Sequence, residues 1–159
     1  MKITRDYPGL TRAKNGYYIL KGNLISEEGI EIDLDDQLVV TGSIIAGCSI
    51  RVRCGITAER GIKAGWGIRA GWDIKAGCGI TAGWGIIAGW EIEAGYGIMA
   101  GWGIEARTYI DCGKRIFAGT SMYADDDDCD KTIQCAELRN GTVAYGDLII
   151  TTISKATED

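Results

Sequence analysis

One stretch limits what this chain can become. Residues 65–106, GWGIRAGWDIKAGCGITAGWGIIAGWEIEAGYGIMAGWGIEA, are nearly the same six residues written seven times. The period runs further. Stepping by six from Ile32 gives Leu38, Ile44, Ile50, Ile56, Ile62, Ile68, Ile74, Ile80, Ile86, Ile92, Ile98, Ile104, Ile110, Ile116 and Met122. Two places after each comes a small or apolar residue, always alanine from Ala58 to Ala106. Glycine follows in most repeats, from Gly65 to Gly101.

A helix turns every 3.6 residues and would smear these columns around its circumference. A strand alternates every two residues, and six is a multiple of two. The pattern therefore predicts short strands joined by regular corners, an all-β single β-solenoid. Isoleucine and alanine point inward with one outward residue between them. The following glycine is expected to turn the corner at positive φ, which glycine adopts cheaply. The opposite phase, with tryptophan inside, would put Lys63, Arg69, Ile87 and Met99 at the corners, where long and β-branched side chains fit poorly.

Three six-residue sides close one coil of 18 residues, so residues 32–124 make about five coils. Residues 1–31 are read as an N-terminal cap. Residues 125–159 are read as an acidic loop, DDDDCD, followed by a C-terminal β-hairpin cap turning at Asn140-Gly141. Ends of this kind stop further strand addition.

Residues 18 apart should stack, which sorts the outside into three walls. One carries Cys48, Trp66, Trp84, Trp102 and Thr120. A second carries Cys54, Trp72, Trp90 and Thr108. The third carries Arg60, Cys78, Tyr96 and Lys114. The tryptophan walls read either as buttresses of the coil or as a binding strip, since exposed tryptophan anchors many interfaces. The outward residue inside each strand is basic early (Arg51, Lys63, Arg69, Lys75) and acidic late (Glu93, Glu105, Asp111). Lys75 should attract Glu93 across a rung, Glu93 should repel Asp111, and the whole column should face water.

The net charge of −5 argues against a general nucleic-acid binder and permits binding to basic surfaces. No apolar run is long enough for a membrane helix. The opening MKITRDYPGL lacks an apolar signal core, so a cytoplasmic location is expected. The six cysteines form no CxxC pair and there is no histidine. They are expected to be reduced and packed, with no metal and no cofactor.

The unbroken aliphatic column over residues 32–124 of 159 resembles the hexapeptide-repeat left-handed β-helix family. The order of large and small residues is reversed here relative to that family, and either handedness satisfies the spacing. Acyltransferases of this family use a histidine base and its carbonic anhydrases bind zinc through histidines. A chain without histidine is therefore expected to be no enzyme, with no catalytic residues. The GIxAGW runs and the ending IFAGTSMY…CAELRNGTVAYGDL are similar to small phage and prophage solenoid proteins of gut bacteria. That resemblance implies an inhibitor, acting in the host cytoplasm, of a host defence complex of the kind anti-CRISPR proteins block. It would work by occluding a surface or imitating nucleic acid.

The expected partner is thus a host protein or nucleoprotein complex, with no direct nucleic-acid binding and with self-association open. The candidate partner-binding residues are Trp66, Trp72, Trp84, Trp90, Tyr96, Trp102, Glu93, Glu105, Asp125, Asp126, Asp127 and Asp128. Two other readings are an assembly module that stacks end to end, and a sponge that sequesters a nucleotide signal.

Overall fold

The computed structural model describes residues 1–121 and 130–152. Among them every regular element is a strand. The molecule is a single β-solenoid of about seven turns, with strands arriving every six residues. Each repeat spends three residues in a strand and three in a corner.

Three faces result. Face 1 stacks Tyr18–Leu20, Leu38–Val40, Ile56–Ala58, Ile74–Ala76 and Ile92–Ala94. Face 2 stacks Leu24–Ser26, Ile44–Ala46, Ile62–Ala64, Ile80–Ala82 and Ile98–Ala100. Face 3 stacks Ile30–Ile32, Ile50–Val52, Ile68–Ala70, Ile86–Ala88, Ile104–Ala106, Thr132–Cys135 and Asp147–Ile150. The strand Tyr109–Ala118 bends around a corner and continues faces 1 and 2 in turn.

The inward phase is the one the columns predict. Ile44, Ile50, Ile56, Ile74, Ile80, Ile86, Ile92 and Ile98 are all 0% exposed, with alanines buried beside them. Like stacks on like at the 18-residue offset, Ile80 over Ile62 and Ala82 over Ala64. Isoleucine and alanine alternate along this narrow interior, and each isoleucine removed from water contributes roughly 1.5–3 kcal/mol.

The corner glycines have a different cause from the one expected. Positive φ occurs at Gly9, Gly16, Gly22, Gly119, Gly141 and Gly146, and at none of the repeat glycines from Gly65 to Gly101. What those glycines supply is room. A Cβ on Gly83 would collide with the Gly65 carbonyl oxygen one rung below, and the same holds for Gly89 over Gly71 and Gly101 over Gly83. The backbone crosses the backbone at the corner, and any side chain would force the rungs apart.

The coils also begin before Ile32. Tyr18–Leu20 pairs with Leu38–Val40 at an offset of 20 residues, as does Leu24–Ser26 with Ile44–Ala46. The first turn carries two extra residues in the corner between Ile32 and Leu38. Ile32 is therefore the second inward residue of its strand, and Leu34 lies buried in the corner. Asp35 anchors this enlarged corner, accepting hydrogen bonds from Tyr18 Oη at 2.6 Å and Arg5 at 2.8 Å.

The N-terminal end is closed by Lys2–Ile3 beside Ile30–Ile32 and by Leu10–Arg12, antiparallel to Tyr18–Leu20. At the other end the expected turn at Asn140-Gly141 is present, with Gly141 at φ +104°. It is a coil corner. The segments on either side of it run parallel to Tyr109–Ala118, Ile110 beside Leu138 and Ile116 beside Val143. The chain thus climbs one more turn here. Asp125, Asp126, Asp127 and Asp128 lie outside the described residues.

Candidate binding surface

The middle position of each corner presents one side chain per turn. Between faces 2 and 3 these are Trp66, Trp84 and Trp102. Their rings stack in register: Trp66 and Trp84 centres are 5.7 Å apart at 12°, and Trp84 and Trp102 are 5.8 Å apart at 18°. The backbone holds the register, with the Trp84 N–H donating to the Trp66 carbonyl at 3.1 Å and the Trp102 N–H to the Trp84 carbonyl at 3.4 Å. The glycines before each indole allow this close rung spacing. Stacked pairs are worth ~0.5–1.5 kcal/mol beyond their burial.

Stacking covers the ring faces and leaves the edges in water. Trp66, Trp84 and Trp102 remain 51%, 54% and 39% exposed. Ile87 on face 3 is exposed and shares a groove with Trp84 and Trp102, whereas the exposed Met99 on face 2 lies in a groove with Gly97, Lys114 and Phe117, at the corner between faces 1 and 2. Glu105 sits at the late end of this strip, next to Ile87 in the rung register, in a groove with Trp84, Trp102 and Gln134. The structure therefore brings two of the candidate tryptophans, Trp84 and Trp102, together with Glu105.

The corner between faces 3 and 1 holds the second ladder, Trp72 and Trp90, with centres 5.5 Å apart at 10°. It is shorter, ending below on the buried Cys54 and above on Thr108. Tyr96, in the third corner, follows Cys78 and precedes Lys114 and has no aromatic neighbour among the described ring contacts. The three corners are separated by whole faces, so the candidate aromatics form two ladders and one isolated ring.

Glu93 has a structural setting of its own. It faces Lys75 at 3.7 Å and accepts a hydrogen bond from the Tyr109 hydroxyl. Lys75 is also 2.8 Å from Glu91 and 3.9 Å from Asp73. Burial works against the charge of Lys75, but its hydrogen bond to Glu91 and the field of Glu93 outweigh that, and its pKa is raised. Burial pushes the Asp73 carboxyl up, with Glu91 adding to the effect, and Asp73 Oδ1 is buried without a hydrogen-bond partner. Burial and the bond to Glu93 raise the Tyr109 phenol far above its usual range. Arg139 from the last turn lies 3.5 Å above the Tyr109 ring centre.

Lys75 was expected simply to face water; it is instead the hub of this cluster, with 30% of its side chain exposed. The attraction expected between Lys75 and Glu93 is present. The repulsion expected between Glu93 and Asp111 is relieved from outside, by Tyr109 on Glu93 and by Asn140 donating to Asp111 at 3.2 Å.

Asp73, Glu91 and Tyr109 were not singled out in the sequence, yet a signal was there. Between Gly55 and Tyr109 the position before each inward isoleucine is glycine except at Asp73, Glu91 and Tyr109, which fall 18 apart, in one column. Early in the chain Arg51 and Arg69 sit side by side in register on face 3, both exposed. With Lys75 neutralised, the exposed basic column reduces to Arg51, Lys63 and Arg69, flanking Trp66.

No family model matches the chain, and neither do the curated proteins or the solved structures searched.

Proposed function

We propose that this chain is a non-enzymatic protein-binding solenoid whose contact surface is the corner Trp66–Trp84–Trp102. The observation that carries the reading is the alignment of three half-exposed indoles on one straight, backbone-fixed edge. A buttress needs stacked faces only. This edge adds an exposed apolar neighbour, Ile87, in the groove it shares with Trp84 and Trp102. Rigid aromatics of this kind lose little entropy on binding and supply desolvated anchors. The flanks grade from basic at Trp66 to acidic at Glu105, which would fix the orientation of a partner.

The finer reading is an inhibitor of a host defence complex, acting by surface occlusion. It rests on the resemblance read in the GIxAGW repeats alone and on the acidic excess. Two experiments test these levels separately. Tagged parent and a Trp84→Ala/Trp102→Ala variant are compared for retention of a host protein. A partner held by the parent and lost by the variant supports the surface, and equal retention overturns it. Plasmid transformation is then measured in a strain whose CRISPR complex targets that plasmid. Restored transformation on expression of the chain supports the defence reading, and unrestored transformation against each complex type in the host rules that reading out.

A further inference from the structure

The corner between faces 1 and 2 differs from the other two in what lies beside it. Its middle positions run Arg60, Cys78, Tyr96 and Lys114. The position before the inward isoleucine is glycine at Gly61, Gly79 and Gly97, and then becomes Arg115. On the outer side of face 2, Thr81, Met99 and Phe117 stack in register. These residues line a groove of about 750 Å³, within the range of small-molecule sites, which Thr142 of the last turn also borders. Its lining lies wholly among the described residues.

The floor of the groove is bare backbone at Gly79 and Gly97. One wall is apolar, with Met99 42% exposed and Phe117 on the next rung. The end is basic. Lys114 and Arg115 are both exposed, and neither takes part in an ion pair among the described residues. No carboxylate lines the groove, although the chain carries a net charge of −5. The groove around Arg51 and Arg69, by contrast, also holds Glu31 and Asp33. Two adjacent cations repel each other, and an anion placed between them is attracted by both.

Spacing narrows the chemistry. Arg115 and Phe117 lie two residues apart on the outer side of one strand, with Ile116 buried between them, which sets them roughly 7 Å apart. A cation and an aromatic ring so placed suit a molecule that is anionic at one end and flat and apolar at the other. Two cations match a phosphate monoester, which carries a charge of about −1.5 to −2 at neutral pH, better than a single carboxylate. Phenylalanine and methionine are both good surfaces for a flat π-system.

We infer that this groove is a binding site for a small phosphate monoester with a flat apolar body, the chemistry of a mononucleotide. The phosphate sits at Lys114 and Arg115, and the flat body lies against Met99 and Phe117. Thr81, one rung below Met99, and Thr142, one rung above Arg115, offer hydroxyls to polar groups of the ligand. The groove lies at the opposite edge of face 2 from the corner Trp66–Trp84–Trp102, so this site is independent of the partner surface.

Calorimetric titration of the full chain with adenosine monophosphate, adenosine and inorganic phosphate tests it. The monophosphate should bind, and the other two should each bind at least roughly tenfold more weakly, because each makes only part of the contacts. Lys114→Gln/Arg115→Gln should abolish binding, and Phe117→Ala should weaken it. Met99→Glu should also abolish it, by placing a carboxylate in the groove. That variant should fold like the parent, since the same strand position holds Glu93 and Glu105 in neighbouring repeats. The near-ultraviolet circular dichroism of the stacked indoles checks this. Arg51→Gln/Arg69→Gln and Trp84→Ala/Trp102→Ala should bind the monophosphate as the parent does.

A parent that binds no monophosphate at millimolar concentration overturns the inference. So does inorganic phosphate bound as tightly as the monophosphate, which would be an ion held by surface charge alone. Binding that survives Met99→Glu overturns it, and so does binding lost in Arg51→Gln/Arg69→Gln or in Trp84→Ala/Trp102→Ala, which would place the ligand elsewhere on the coil.

Discussion

The ammonium of Lys75 lies 2.8 Å from the carboxylate of Glu91 on the next rung, and it is the one cation within reach of Asp73, Glu91 and Glu93 among the described ion pairs. Removing it leaves three carboxylates within one partly buried cluster. Lys75→Ala should therefore lower stability by roughly 2 kcal/mol, less than for a fully buried pair because the site is partly open to solvent. Urea titration checks this. A loss below about 0.5 kcal/mol would mean that water already screens the cluster.

Asp73 gives a prediction with a definite sign. Its folded pKa is raised, by burial first and Glu91 next. A carboxyl raised in the folded state favours folding while protonated; that contribution is fully present below the ordinary aspartate range and is lost as pH rises through the raised value. At neutral pH the ionised group is a liability. Asp73→Asn should raise stability there by about 1 kcal/mol, and the gain should vanish as pH falls below the ordinary aspartate range. Melting curves of parent and variant from pH 3 to 8 decide it. A gain that grew on acidification would refute the assignment.

Two neighbouring glycines should respond unequally to alanine. A Cβ on Gly83 would collide with the Gly65 carbonyl, whereas one on Gly85 would meet the Gly103 carbonyl at 3.3 Å, a contact that small shifts relieve. Gly83→Ala should cost several kcal/mol and Gly85→Ala less than about 1 kcal/mol. Equal losses in denaturant titrations would show that the corner backbone is looser than the close crossing implies.

Trp84 stacks on both sides and Trp66 on one. Trp84→Ala should accordingly cost about twice as much as Trp66→Ala, roughly 2 against 1 kcal/mol. It should also abolish the coupled near-ultraviolet signal of this ladder while sparing that of Trp72 and Trp90. Similar losses for both would mean that flanking contacts, and not stacking, hold the indoles.

The columns of isoleucine and alanine were legible from the sequence because strand alternation divides evenly into six, and burial follows them residue by residue. The reason for the corner glycines was not. Positive φ and close backbone crossing favour the same amino acid, and only the position of the Gly65 carbonyl beneath Gly83 separates them. The early phase shift was hidden because Ile32 and Leu34 are as apolar as the strand residues they imitate. Asn140-Gly141 turns the chain as its residue types require, but whether a turn leads back or onward depends on which strand waits beside it, here Tyr109–Ala118. At the surface, the stacking of the tryptophans followed from the 18-residue coil. The Lys75 cluster depends on side chains reaching between rungs, which a period alone does not reveal.

Through the regular repeats the ladder joins each residue to the one 18 places away, Ile50 to Ile68 and Ile68 to Ile86. Excising residues 68–85 would set Ile86–Ala88 directly on Ile50–Val52, isoleucine over isoleucine, and Trp102 over Trp66. Cross-section and height are thus written in different parts of the sequence: the motif draws the triangle, and the number of copies sets how far it is extruded. Such a chain is a ruler graduated in steps of ~4.8 Å. It can be lengthened or shortened by whole coils, and with it the number of indoles along the edge, without redesigning either end.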